Sequence, residues 1–174
     1  RRSAQPTIPP EDGPVSKGEV DPATFRNLLG RFATGVTVLT LEDPDGRPAG
    51  MTANSLASVS LQPPLLSVCV DHQTDLHDLI IAAPGFVVNV LESGQEALAR
   101  RFAEPHPDRF AGVAYHIGTG GKVLLDGALA HIECLRHALY DGGDHSIIVG
   151  RVTGGATGKG RPLLYYRGGY AAPG

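Results

Sequence analysis

Residues 50–60 read Gly50-Met51-Thr52-Ala53-Asn54-Ser55-Leu56-Ala57-Ser58-Val59-Ser60. Thr52, Asn54, Ser55, Ser58 and Ser60 carry hydroxyl or amide groups, and no residue in the stretch is charged. Pro63-Pro64 and an apolar run from Leu65 to Val70 follow. A neutral, donor-rich loop leading into a core strand suits a large polar ligand that is flat and uncharged at one end. An amide-rich ring such as that of a flavin has this character. The same loop suits a metal ion poorly, because hard and borderline cations take carboxylate, imidazole or thiolate ligands.

Other local patterns hold less chemistry. Gly118-Thr119-Gly120-Gly121 looks like the start of a dinucleotide fingerprint, but the strand-like Val123-Leu124-Leu125 follows it, so no helix N-terminus is there to hold a pyrophosphate. In Gly154–Gly160 a phosphate loop would need Gly at Thr153 and Ser or Thr at Gly160, so a flexible hairpin tip is expected. No Gly-x-Ser-x-Gly elbow occurs. Asp144 and His145 are adjacent, and strand alternation sends their side chains to opposite faces, which disfavours an orienter–base pair. Cys69 and Cys134 lie far apart on apolar runs without a Cys-x-x-Cys spacing, so buried structural thiols are expected rather than a zinc site. The remaining histidines, His72, His77, His106, His116, His131 and His137, show no metal spacing.

The elements that must position these groups read mostly as strands. Asp21-Pro22 predicts a helix start, and Phe25, Leu28, Leu29 and Phe32 give it an apolar face ending near Gly35. Strands are predicted over 36–41, 65–71, 86–91, 113–117, 123–125, 128–139, 146–152 and 163–167. Thr74 is expected to cap a short helix through Leu76, Leu79 and Ile80, and Ser93-Gly94-Gln95-Glu96 to form a capping box before a helix through Leu98 and Phe102. About eight strands separated mainly by turns disfavour a doubly wound sheet and favour a closed antiparallel barrel with short helices at its margins.

Composition agrees with one domain over 21–174. The chain has 174 residues, 41% hydrophobic and 19% charged, with a net charge of −3. Lys and Arg are dispersed, so no nucleic-acid partner is expected. No apolar run is long enough for a membrane span. Residues 1–20, with Pro6, Pro9, Pro10 and Pro14, read as a flexible arm. Arg1-Arg2 is not followed by the apolar stretch of an export signal. With two unpaired thiols, these features lead to an expected cytoplasmic location.

The chain resembles the short-chain flavin reductases, whose fold is the flavin mononucleotide (FMN)-binding split barrel. The markers are Ala33-Thr34-Gly35-Val36-Thr37-Val38, the 50–55 and 58–60 segments, Pro63-Pro64-Leu65 and Val88-Asn89-Val90-Leu91. Arg101-Phe102-Ala103, Arg109-Phe110, Gly143-Asp144-His145 and Pro162-Leu163-Leu164-Tyr165-Tyr166 complete them. Their joint order and spacing, from about Phe25 to Tyr170, hold the resemblance. It implies a mainly β, Greek-key-like antiparallel split barrel with a few short helices. It implies a homodimer that reduces FMN or flavin adenine dinucleotide (FAD) with NADH or NADPH and supplies a separate monooxygenase. A tightly held FMN electron carrier and a non-catalytic flavin-binding module are the alternatives.

The resemblance also implies site residues. Thr52, Ala53, Asn54 and Ser55 line the flavin ring and ribityl chain, with Ser58 favoured over Ser60. Cys69 and Val70 pass close to the ring. Thr74, Phe102, Ala103 and Arg109 match the ribityl and phosphate end. Leu76 stands where relatives often carry a second hydroxyl, which removes one phosphate contact. Asp144, His145 and Tyr170 match the nicotinamide side. Hydride transfer between stacked rings needs no side-chain nucleophile, so no residue is an obligatory catalyst and His145 is the nearest candidate.

Overall fold

The computed structural model describes residues 20–106 and 108–173. The expected arm lies outside the described residues, apart from Val20. Asp21 caps α1 (Pro22–Leu29), its Oδ1 accepting from the Ala23 and Thr24 amides. The helix stops well short of Gly35, because the Gly30 carbonyl accepts from Arg167 N–H, a partner outside the helix. Phe25, Leu28, Leu29 and Phe32 are all more than half exposed.

The strands are β1 (Thr34–Gly35), β2 (Thr37–Glu42), β3 (Pro48–Ala53), β4 (Ala57–Leu61), β5 (Pro64–Asp71) and β6 (Gly85–Val90). After them come β7 (Tyr115–Gly118), β8 (Lys122–Leu125), β9 (Ala130–Asp141), β10 (His145–Thr157), β11 (Leu164–Tyr166) and β12 (Gly169–Ala171). Helix α2 (His77–Ala82) follows β5, and α3 (Glu96–Ala103) follows β6. The stretch expected as one donor-rich loop is two strands, and only residues 54–56 lie between them. Hydroxyl residues take strand geometry here because β3 pairs along its whole length with β2 and β4 pairs with β5.

Seven strands form one antiparallel sheet in the order β3-β2-β6-β9-β10-β5-β4. Its two edges, β3 and β4, are consecutive in the chain. Residues 54–56 reach no more than about 14 Å between Ala53 and Ala57. The sheet must therefore roll until its edges meet, which makes a barrel split along one seam. Two smaller sheets, β1-β11-β12 and the hairpin β7-β8, lie outside it.

Alternation sorts the apolar side chains into two cores. Leu39, Leu41, Leu66, Val68, Val70, Phe86, Val88 and Ile148 fill one, with Leu76 and Ile80 from α2 and its approach. Val36, Val38, Leu91, Ala99, Phe102, Leu125 and Leu163 form the other, where α3 and β8 cover β2. One polar network joins these layers. Asn89, fully buried, donates from Nδ2 to the Val38 carbonyl (3.0 Å) and Thr40 Oγ1 (2.8 Å). Its Oδ1 accepts from Leu125 N–H (2.9 Å), and Thr40 Oγ1 donates to the Val123 carbonyl (2.6 Å).

Other local expectations shift for nonlocal reasons. The capping box uses Glu92 and Gln95 rather than Ser93 and Glu96, because a 3-10 turn over Ser93–Gln95 precedes α3. Gly118 ends β7, and residues 119–121 turn into β8, with Gly120 and Gly121 at positive φ. Gly154 to Thr157 belong to β10, paired with Glu133 to Ala130, rather than to a hairpin tip. At Gly155 a side chain would run into the His131 carbonyl. Among the described residues no helix is long and apolar enough to cross a membrane.

Candidate functional site

The seam of the barrel positions the 52–55 segment. Thr52 Oγ1 donates to the Ala99 carbonyl (2.6 Å), which ties β3 to α3. Ser55 Oγ accepts from Cys69 N–H (2.9 Å) and donates to the Cys69 carbonyl (3.1 Å). The β4 ladder begins at Ala57 opposite Ser67, so this hydroxyl takes the place of a strand neighbour for Cys69. Ser55 is thereby spent on the fold. Asn54 is exposed, and its amide makes no hydrogen bond among the described residues. Thr52, Ala53 and Asn54 line a pocket of about 170 Å³ together with Val36, Tyr165 and Tyr170. The pocket joins three residues expected on the flavin side to one expected on the nicotinamide side. Close to its wall, Thr34, opposite Tyr165, has a buried Oγ1 without a hydrogen-bond partner.

The flanking strand separates two neighbours that sequence reading placed side by side. Val70 is fully buried in the barrel core, so its side chain lies away from the outer face. Cys69 alternates outward and is half-buried. Ser58 and Ser60 no longer share a face. A register shift at Val59 pairs Ser58 with Leu66 and Ser60 with Leu65, and those two leucines point opposite ways. Ser58, opposite the inward Leu66, is exposed, and Ser60 is half-buried.

The residues expected at the ribityl and phosphate end occupy different ground. Phe102 is 1% exposed and makes edge-to-face contact with Phe110, centroids 4.9 Å apart, so it is a core residue. Ala103 is exposed at the end of α3. Thr74 does not cap α2. Its hydroxyl donates to the Asp71 carbonyl (2.9 Å), and α2 starts after Leu76 with no side-chain cap. Arg109 lines a wider pocket of about 760 Å³ with Gly50, Asp75 and Leu76. Its Nε donates to the Glu104 carbonyl (2.9 Å), and Nη2 lies 3.4 Å from Asp75 Oδ2. A phosphate there competes with Asp75. Gly50 and Thr52 place the two pockets two residues apart along β3.

Asp144 and His145 correct an expectation. His145 Nδ1–H donates to Asp144 Oδ1 at 2.7 Å. Asp144 precedes β10 and follows Gly143, at φ 82°, so strand alternation does not apply to it. The hydrogen bond from His145 holds the Asp144 carboxyl below its usual range. It also fixes the imidazole with Nε2 as its free nitrogen. His145 pairs with Asp71 and Ile147 with Cys69, so His145 and Cys69 share the outer face of the sheet. Ser55 links that strip to Asn54.

Four further groups gather without a sequence signal. Ser146 Oγ lies 2.9 Å from His77 Nε2 and 3.2 Å from His72 Nε2, and His77 Nδ1 lies 3.1 Å from Asp78 Oδ1. Register alone brings them together: Ser146 pairs with Val70 at the end of β5, and α2 folds back over it. Tyr165 and Val36 were likewise not expected at the site. Cys134 is buried, which pushes its thiol up to about 12, so it is not a thiolate at neutral pH. Among the described residues no group of three His, Cys, Asp or Glu side chains is arranged to hold a metal ion.

The donor set fits a neutral ring. A free amide at Asn54, acceptor lone pairs on Thr52 and aromatic walls at Tyr165 and Tyr170 match a planar, carbonyl-bearing heterocycle. Comparison with known proteins points the same way. A family model described as flavin reductase like domain matches residues 29–174. A relative from Rhizobium meliloti (strain 1021), named a probable flavin reductase, is 42% identical over 153 residues, 88% of this chain. The chain spans about half of that protein, 49% of its length. The reductase subunit HsaB of a flavin-dependent monooxygenase from Rhodococcus jostii (strain RHA1) is 41% identical over 91% of this chain and 82% of its own. Among solved structures, the NADH:FAD oxidoreductase of Streptomyces globisporus C-1027 in complex with NAD and FAD fragments superposes with a TM-score of 0.82. It is 42% identical, covering 89% of this chain and 96% of that one. The chain belongs to the flavin reductase like domain family.

Proposed function

We propose that this domain is an NADH-dependent flavin reductase that supplies reduced flavin to a separate monooxygenase. The observation that carries the reading is the pocket shared by Thr52, Ala53, Asn54 and Tyr170; Ser55 ties the Asn54 end of it to Cys69, two residues from the position paired with His145. The relatives' names support the activity and the monooxygenase partner. When bound, flavin supplies the hydride-accepting ring. The chain's own part is to hold two flat rings in contact and keep water out. Asn54 would donate to a ring carbonyl, Thr52 would present lone pairs, and Tyr170 would close the pocket. His145, hydrogen-bonded to Asp144, would offer Nε2 to the carboxamide end of the nicotinamide. No step requires a nucleophile or an obligatory general acid from the protein.

A homodimer in the cytoplasm is part of the proposal. Its support is the apolar row Phe25, Leu28, Leu29 and Phe32, which a single chain leaves at the surface, and the two free cysteines. Sedimentation gives the oligomeric state directly.

Steady-state NADH oxidation, with and without added FMN or FAD, tests the activity. Oxidation that rises with free flavin supports a diffusing flavin substrate. No oxidation under any flavin supply overturns the reading. Two variants test the site. Asn54→Ala is expected to weaken flavin binding by about 1–3 kcal/mol through a lost hydrogen bond, and an unchanged flavin titration removes Asn54 from the pocket. His145→Ala is expected to raise the NADH Michaelis constant roughly tenfold with little change in flavin affinity. A collapse of flavin affinity instead makes His145 a flavin ligand.

A further inference from the structure

The C-terminal hairpin forms one wall of the ring pocket; β11 is held by β1, and Tyr165 and Tyr170 pack against the outer core, but its last strand is a short edge. Among the described residues β12 pairs only with β11, over Leu164↔Ala171, Tyr165↔Tyr170 and Tyr166↔Gly169. The turn between them uses Arg167 and Gly168 at positive φ. A three-residue edge strand of this kind sits at the low-stability end of a fold. Yet its central residue, Tyr170, lines the pocket beside Tyr165, with ring centroids 5.3 Å apart.

Tyr170 has a second neighbour, and it comes from the far side. Arg100 on α3 places its guanidinium carbon 4.9 Å from the Tyr170 ring centroid. That guanidinium is itself held one helical turn back, where Nε (2.9 Å) and Nη2 (2.7 Å) both donate to Glu96 Oε1. The pair is largely exposed, so the salt bridge adds little stability as such. Its consequence is orientation: it removes rotamer freedom from a long side chain and lays the planar cation against a ring face. α3 is anchored independently, through Phe102 and Ala99 in the core and the Thr52 hydroxyl on the Ala99 carbonyl. The helix that receives the β3 wall of the pocket therefore also sets the position of the opposite wall.

We infer that Arg100 is a positioning residue: oriented by Glu96, it holds Tyr170 against Tyr165 and so fixes the width of the slot that accepts the flat ring of a flavin. This deepens the flavin reductase reading and rests on it for the identity of the ring. Arg100 acts only through Tyr170, so its effect on ligand binding vanishes when that ring is gone.

The test is a double-mutant cycle read by FAD titration, with hydrogen–deuterium exchange of residues 164–171 measured on the same proteins without flavin. Arg100→Met keeps the aliphatic stem and removes the cation. It is expected to raise the FAD dissociation constant about threefold to tenfold, with part of the loss restored by Arg100→Lys. In the Tyr170→Leu background the same change is expected to add less than twofold. Exchange over 169–171 is expected to quicken in Arg100→Met while α3 keeps its protection. Equal losses of affinity in both backgrounds overturn the inference, as does unchanged exchange in β12. Wild-type protein that neither binds FAD nor oxidises NADH overturns the functional reading instead, and the flavin-free exchange measurement still decides whether Arg100 positions the hairpin.

Discussion

Asn89→Leu is expected to destabilise the fold by roughly 3–5 kcal/mol, measured as a fall in the urea midpoint with an unchanged slope. The substitution fits the space but removes three buried hydrogen bonds: the Leu125 N–H loses its acceptor, and the Val38 carbonyl and Thr40 Oγ1 each lose the Asn89 Nδ2 donor. The orphaned N–H costs about 1–3 kcal/mol and each of the other two lost bonds about 0.5–1.5 kcal/mol, and Asn89 and Thr40 are both fully buried. Thr40 is also fully buried and holds Val123 through its own hydroxyl. The network fastens β8 across β2 and β6, and with it the cover over the outer core. A loss within about 1 kcal/mol contradicts this account of the network.

Phe102→Ala is the other large effect, about 3–5 kcal/mol in unfolding free energy from a buried cavity. The ring is enclosed by Val36, Leu91, Ala99, Leu125 and Leu163, and it meets Phe110, which in turn meets Tyr115 at 5.2 Å. Resemblance placed Phe102 beside the ribityl chain, and the structure puts it beneath the surface that would meet a ligand. The two roles separate experimentally. A core residue shows its loss in chemical unfolding of the flavin-free protein. A ligand contact shows it in flavin affinity at unchanged stability, and that outcome removes Phe102 from the core role.

Local signals in the chain were readable where the interaction is itself local. The Asp21 cap needs only the two amides that follow it. The turn at Asp43 is closed by its own carboxylate, which accepts from the Asp45 and Arg47 amides. The strand over 65–71 shows its alternation directly, with Leu66, Val68 and Val70 inward. Asn54 and Tyr170 were readable through family resemblance and do meet in one pocket. Thr74 and the capping box were misplaced by short distances, because a 3-10 turn and a β5 carbonyl compete for the same groups.

The sequence by itself determined the antiparallel, mainly β architecture, the start of α1, and a neutral donor-rich segment suited to a flavin rather than a metal. Those follow from periodicities and turn chemistry spanning a few residues. Tertiary structure alone decided which donors remain free for a ligand. Ser55 is consumed by Cys69 because the β4 ladder starts two residues too late to serve it. Asp144 meets His145 because a glycine at positive φ takes it off the strand. Tyr170, Tyr165 and Arg100 converge from segments about seventy residues apart in sequence because a rolled sheet brings its last strands against α3. Hydrogen-bond capacity is a property of a residue type, but whether that capacity is left over for a ligand depends on strand register, and register is set by partners distant in the chain.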